Sequence, residues 1–455
     1  MFPHRLLPKP ALLLFLLVFC GTIACAQTQS WSYADPATDS IAGISLDKAY
    51  ELLKGRIAKT VIVAVIDNGF DINHEDLQAV IWTNKKEIPG NGIDDDHNGY
   101  VDDIHGWNFR STKEGVLVPD EQAGYTQLYA DWINKYRGKQ PDSLLNPLYF
   151  AAQQAYLAKI RSGQDSNDVK YACNLTYNSS SLLGDKREGP YDHVYGSPII
   201  PAVAALSHGT HVAGIIGAVR DNGKGINGVA DHVLIMPIVA TTQTGDERDK
   251  DIANAIRYAV DNGAQLINMS FSKTFSSHKK VVDEAVEYAA AHGVLIFHAA
   301  GNDGMNDDSI PYYPVATYMD GRKAPNFITV GWSRSKFDYR LAHPYSNYGK
   351  SKVDFFAPGS DILSTVPVNS YGSKSGSSMS TPCATGIAAL LLAYFPELSG
   401  EQVKDIMMRS VFKPANMVNR PGTKESVTFD QLCVSGGIIN ACNAVKMAIE
   451  LTHSH

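Results

Sequence analysis

Thr60-Val-Ile-Val-Ala-Val-Ile66 is an unbroken apolar, largely β-branched run that ends against a carboxylate, Asp67. Such a run suits a strand buried on both faces of a parallel sheet. The same signal recurs at Val233–Ile238, Ala264–Met269, Gly293–Ala299 and Asn326–Val330. Between and around these lie helix-like segments at Asp249–Val260, Val281–Ala291, Ser378–Tyr394 and Ser399–Val411. A short amphipathic helix with a glycine stop reads from Ser45 to Gly55. Strands alternating with helices predict an α/β domain, its mostly parallel sheet covered by helices on both faces. With 455 residues and 44% hydrophobic content, the chain can supply the core such a sheet requires.

One region breaks the alternation. From Trp82 to Ala205 the sequence runs through an acidic turn-rich stretch, polar helical segments around Glu121–Ile160, and a loop rich in Gly, Ser, Asp and Asn. It has no clean strand of its own, so residues 108–204 read as an insertion in a domain spanning 45–450. A separate small domain is the alternative. At the N-terminus, His4, Arg5 and Lys9 precede the apolar run Ala11–Cys20 and the small residues Gly21–Ala26. This is the layout of a secretory leader, residues 1–26, followed by a tail at 27–44. It predicts a secreted or periplasmic protein, the alternative being a lipoprotein acylated at Cys25. No later segment has the length and apolarity of a transmembrane helix. The stretch from Gln27 to Asp67 reads as the tail, one helix and one strand.

Beyond the leader, Cys173, Cys383, Cys433 and Cys442 allow three disulfide pairings. Cys433 and Cys442 are nearest in sequence, and buried free thiols are the alternative. No CxxC spacing points to zinc or redox chemistry. The net charge of −7, with no basic stripe, argues against a nucleic-acid partner. The expected state is a monomer.

Four residue types stand where α/β sheets gather function, at strand ends and helix starts. Asp67 ends the first buried run, where it serves either chemistry or a turn. His208 opens Ser207-His-Gly-Thr-His-Val-Ala-Gly214, with His211 one turn further in. Small residues at Gly209, Ala213, Gly214 and Gly217 let that helix approach the sheet closely. Ser378, in Gly376-Ser-Ser-Met-Ser-Thr-Pro382, precedes a long apolar helix whose free N–H groups suit a developing oxyanion; capping the helix is its plainer role. Asn302 follows a buried strand in Ala299-Ala-Gly-Asn302, where its amide either makes a turn or donates to negative charge.

Together, and in the order Asp, His, Asn, Ser, these segments resemble the subtilisin-like serine peptidases. Val-Ile-Asp67-Asn-Gly, His208-Gly-Thr-His-Val-Ala-Gly, Asn268-Met-Ser-Phe, Ala-Ala-Gly-Asn302 and Gly-Ser-Ser378-Met-Ser-Thr-Pro carry the resemblance. It covers roughly residues 45–95 and 205–450. It implies a secreted endopeptidase acting on proteins or peptides, with Ser378 as nucleophile, His208 as general base and Asp67 orienting the imidazole. Asn302 and the Ser378 N–H would then bind the oxyanion. The resemblance further implies that Ser270, Phe271 and Ser272 pair with an extended substrate, opposite a pocket wall of Ala299, Ala300 and Gly301. Three positions depart from the family pattern: Asn68 for the usual Ser or Thr, Ser272 for glycine, and Cys383 for histidine. A catalytically silent scaffold and an esterase are the competing functions, but all four residues are present and the Gly-x-Ser-x-Gly pattern lacks its last glycine.

No cofactor is needed for this chemistry. The loop Asn91-Gly-Ile-Asp-Asp-Asp-His-Asn-Gly-Tyr-Val-Asp-Asp103 places oxygen ligands at alternate positions around a glycine, as a calcium loop does. Asp94, Asp96, Asn98, Tyr100 (through its carbonyl) and Asp102 are the expected ligands of a structural calcium ion. Position twelve is His105 where an EF-hand has Glu, and a solvated acidic turn is the alternative.

Overall fold

The computed structural model describes residues 30–136, 146–162, 168–185, 195–243 and 245–453. The leader at 1–26, the cut after Ala26 and the Cys25 alternative lie outside the described residues.

Helix α1 (Leu46–Leu53) buries Leu46, Ala49 and Leu53 and leads to strand β1 (Val61–Asp67). Alternate residues of β1 serve different cores: Val61, Val63 and Val65 enter one, Ala64 and Ile66 the other. That is the reason the run carries no polar position before Asp67. The insertion follows, with β2 (Trp107–Asn108), α2 (Gly124–Tyr136), α3 (Pro147–Arg161) and α4 (Ser179–Leu183). Next come α5 (His208–Gly217), β3 (Val233–Val239), α6 (Asp249–Asp261), β4 (Leu266–Met269), α7 (Lys279–Ala291), β5 (Leu295–Ala299), β6 (Phe327–Ser333) and β7 (Phe355–Pro358). A hairpin of β8 (Ile362–Val366) and β9 (Ser370–Lys374) delivers the chain to α8 (Ser377–Tyr394) and α9 (Gly400–Arg409). The pair β10 (Val418–Asn419) and β11 (Ser426–Val427) and helix α10 (Ala441–His453) complete the domain.

Seven strands form one sheet in the order β2-β3-β1-β4-β5-β6-β7, every pair parallel. One core packs α1, α5, α8 and α10 on one face; the other packs α6 and α7 on the opposite face. The expected α/β architecture is therefore the observed one. Strand β1 pairs with β3 on one side and β4 on the other, so the sheet grows both ways from it. A reversal of this kind opens a crevice at the carboxyl ends of the strands, where Asp67 stands. No helix among the described residues is long and apolar enough to cross a membrane.

Two expectations need correction. The insertion was expected to hold no strand, yet Trp107 and Asn108 pair with Ile238 and Val239 and form the sheet edge. Their strand is too short to show period-two patterning; it is fixed instead by Trp107, which packs edge-on against Tyr100, and by Phe109, which packs edge-on against Tyr100 and Tyr258. The stretch at 27–44 was expected to be a tail, yet from Trp31 onward it is built into the domain. Trp31 Nε1 donates to the Ser360 carbonyl at 3.0 Å, and Ala42 and Ile44 are fully buried. The four cysteines beyond the leader are buried free thiols, so no disulfide joins Cys433 to Cys442.

Candidate active site

Asp67 sits at the carboxyl end of β1 and His208 at the first residue of α5. His208 Nδ1 lies 2.9 Å from both carboxylate oxygens of Asp67. The carboxylate is 2% exposed and the imidazole 30%, so a buried anion holds a ring that reaches solvent. Asp67 Oδ1 also accepts the Asn68 amide at 2.8 Å. The approach depends on Gly209: a Cβ there would come within 2.5 Å of the Gly69 carbonyl and 2.9 Å of Asp67 Cβ. His211, one turn on, is buried and turns away to the Gly372 carbonyl at 2.9 Å. Burial pushes its pKa down to about 3, leaving it neutral. Of the two histidines, only His208 meets a carboxylate.

Ser378 is the second residue of α8, so it does not cap the helix; Gly376 holds that position. Its carbonyl faces Pro382, which has no N–H to complete the helical bond. Ser270 Oγ donates to that carbonyl at 3.0 Å instead, while Ser378 Oγ donates to the Ser270 carbonyl at 2.8 Å. Proline in the helix thus frees an acceptor that ties the nucleophile's turn to the end of β4. Among the described residues no hydrogen bond joins Ser378 to His208. Lys374 Nζ donates to Ser207 Oγ at 3.0 Å and links β9, just before α8, to the start of α5.

Asn302 follows β5 through Gly301. Its Oδ1 accepts from Ser377 N at 2.8 Å and Ser377 Oγ at 3.1 Å. Because a backbone N–H can only donate, the oxygen end of the amide is fixed on α8, and Nδ2 is the end left facing outward from an exposed side chain. Gly301 adopts φ +120°, and a Cβ there would lie 2.4 Å from Asn347 Nδ2. Asn347 in turn accepts from the amides of Asp303 and Met305 at 3.1 Å and donates to the Ala300 carbonyl at 3.0 Å, holding this turn in place.

The two expected pocket walls leave adjacent strands. Met269 and His298 are the last register pair of β4 and β5; Ser270–Ser272 continues from one and Ala299–Gly301 from the other. Lys273 and Tyr313 pair by two backbone hydrogen bonds at 3.1 and 2.7 Å, joining the far end of the first wall to a third segment. Asn268 Nδ2 donates to Ser270 Oγ at 2.9 Å, and Thr385 Oγ1 on α8 donates to Asn268 Oδ1 at 2.9 Å.

In the acidic loop, the carboxylates of Asp94 and Asp96 converge, and Glu87 joins them. One oxygen from each lies within 4.8 Å of the others. Asp102 instead accepts the amides of Gly90 and Gly92 at 2.8 and 2.9 Å. Asn98 N donates to Asp94 and Asp96 at 3.1 and 3.2 Å, and Asn98 Nδ2 donates to Asp103 at 3.2 Å. The sequence reading missed Glu87, Ser377 and Asn347. Each acts through a partner far along the chain or in another turn, for which local spacing holds no signal.

The sequence profile described as the Subtilase family matches residues 58–430. The chain is 27% identical over 416 residues to Subtilisin-like protease 1 of Plasmodium vivax, covering 89% of this chain and 50% of that protein. It is 42% identical over 185 residues to Thermophilic serine proteinase of Bacillus sp. (strain AK1), covering 41% of this chain and 42% of that one. It spans about half the length of the curated relatives it matches. Among solved structures, a protease from Pseudoalteromonas arctica aligns over 92% of this chain and 96% of its own, at 21% identity and a TM-score of 0.51.

Proposed function

Since the chain belongs to the subtilase family, we propose that it is a serine endopeptidase in which Ser378, His208 and Asp67 form the catalytic triad. The observation that carries the reading is the buried Asp67 carboxylate bound to His208 Nδ1 at the switch point of the sheet. With Nδ1 so engaged, Nε2 is the nitrogen that takes the Ser378 proton as Oγ leaves the Ser270 carbonyl and attacks the peptide carbon. Asp67 stabilises the imidazolium that results. The C–N bond then breaks as His208 returns the proton to the amine, and water hydrolyses the acyl-enzyme by the same route. Asn302 Nδ2 and the Ser378 N–H at the start of α8 face the charge that develops on the carbonyl oxygen. The edge Ser270–Ser272 adds an extended substrate strand beside Ala299–Gly301.

The same reading includes export through the leader at 1–26 and action as a monomer on proteins or peptides outside the cytoplasm. It also includes a structural calcium ion held by Glu87, Asp94 and Asp96. Three convergent carboxylates repel one another, and a hard divalent cation relieves that repulsion with the oxygen ligands it prefers. The chemistry itself requires no metal.

Purified protein should hydrolyse casein and react covalently with a fluorophosphonate, and Ser378→Ala should abolish both while leaving the circular dichroism spectrum unchanged. Full casein hydrolysis by Ser378→Ala would overturn the assignment.

A further inference from the structure

Lys273 directly follows the edge Ser270–Ser272, and its side chain is only 4% exposed. Its Nζ lies 2.8 Å from Asp249 Oδ1 and donates to the Glu247 carbonyl. Burial works against the ammonium, but Asp249, then Glu247 and Asp246, outweigh it and raise the lysine's pKa. Burial likewise disfavours the Asp249 carboxylate, and Lys273, with the His278 amide and Ser276, overcomes that and lowers its pKa. The pair is therefore charged on both sides. Meanwhile the Lys273 backbone pairs with Tyr313 in both directions. One residue thus ties together three segments: the substrate edge, the Tyr313 segment that pairs with its far end, and the first turn of α6.

That turn is held in its own right from the insertion. Arg248 reaches Asp185 at 2.6 Å, and Asp251 binds the fully buried Arg110 at 3.0 Å. Gly124 N donates to Asp246, just before that turn, at 2.8 Å. A buried ion pair is a poor source of net stability, because desolvation offsets most of the attraction. What it fixes is direction. Strand addition needs the edge's N–H and C=O groups placed to within the narrow distance range of a hydrogen bond.

The geometry points to Lys273 as a positioning residue: through Asp249 and Tyr313 it holds Ser270–Ser272 in the register that an extended peptide pairs with, and the insertion acts on substrate binding through that ion pair. This inference rests on the endopeptidase reading above.

The test compares kcat/KM for a tetrapeptide anilide with that for a one-residue anilide carrying the same terminal residue. The wild-type enzyme should favour the longer substrate. Lys273→Met should cut that preference about ten-fold, the equivalent of one or two backbone hydrogen bonds, with fluorophosphonate labelling within about two-fold of wild type. Lys273→Arg, which keeps a cation for Asp249, should restore most of the preference. Equal losses on both substrates, or an unchanged preference, would overturn the inference. Should Lys273→Met not fold, Asp249→Asn keeps an acceptor for Ser276 and His278 while removing the charge, and is read the same way. A wild-type enzyme that gains nothing from the longer substrate overturns the inference with no variant needed. If wild type neither cleaves peptides nor takes the fluorophosphonate, the endopeptidase reading falls and this inference with it; cleavage with an unchanged preference sinks this inference alone.

Discussion

His298 is the penultimate residue of β5 and 1% exposed, with the Phe271 and Tyr313 carbonyls beside its ring but no well-formed hydrogen bond to either ring nitrogen. Phe271 and Phe327 pack around its ring. Burial pushes its pKa down to about 3, an effect that the Phe271 and Tyr313 carbonyls oppose without offsetting. In the unfolded chain a histidine titrates near about 6.5. Between those values the unfolded chain takes up a proton that the folded protein refuses. The stability is therefore fully present above about pH 6.5 and is lost as pH falls toward about 3. Between pH 7.5 and 5.5 this one residue costs about 1.4 kcal/mol. His298→Leu, close in volume, removes the titration and an unpaired buried polar group together. In urea melts at the two pH values, the stability advantage of the variant over wild type should widen by about 1.4 kcal/mol toward acid. Burial raises Asp103 to about 6, Glu247 to about 7 and Asp307 to about 8, which opposes acid loss. Those terms are common to both proteins and cancel in the comparison. An advantage independent of pH would refute the neutral buried imidazole, and one that shrinks toward acid would mean that the folded protein holds His298 charged.

Asn302→Ala should lower kcat by about 10²–10³ with little change in KM; Asn302→Asp, which keeps the acceptor for Ser377 but loses the donor, should do no better. A loss confined to KM would make Asn302 a substrate-binding group. Calcium at one hundred times its Kd should stabilise wild type by about 2.7 kcal/mol, an increment that Glu87→Gln/Asp94→Ala should lose and Asp102→Ala should keep. Thermal melts with excess calcium and with chelator measure it, and equal increments in all three would exclude this loop as the site.

Much of the molecule is written in local pattern. The β1 run can only be buried on both sides, because every residue from Val61 to Ile66 is apolar, and its recurrence dictates a parallel sheet with helices on both faces. Asp67, His208, Asn302 and Ser378 were legible because each sits where a strand ends or a helix begins, beside glycines that the backbone needs there. The sequence by itself also marks Pro382, whose missing N–H lets Ser270 hold Ser378. What only the tertiary structure decided depends on residues far apart in the chain. The edge strand at Trp107 exists because β3 offers it unpaired backbone groups, and no two-residue pattern announces that. Glu87 joins Asp94 and Asp96 only once the loop folds back on itself. The choice of His208 over His211 rests on which ring the helix turns toward Asp67, and Lys273 meets Asp249 only because the chain just past β4 lies beside the start of α6. Periodicity is a property of neighbours along the chain, whereas a partner across space is selected by the packing of whole elements, which no local window contains.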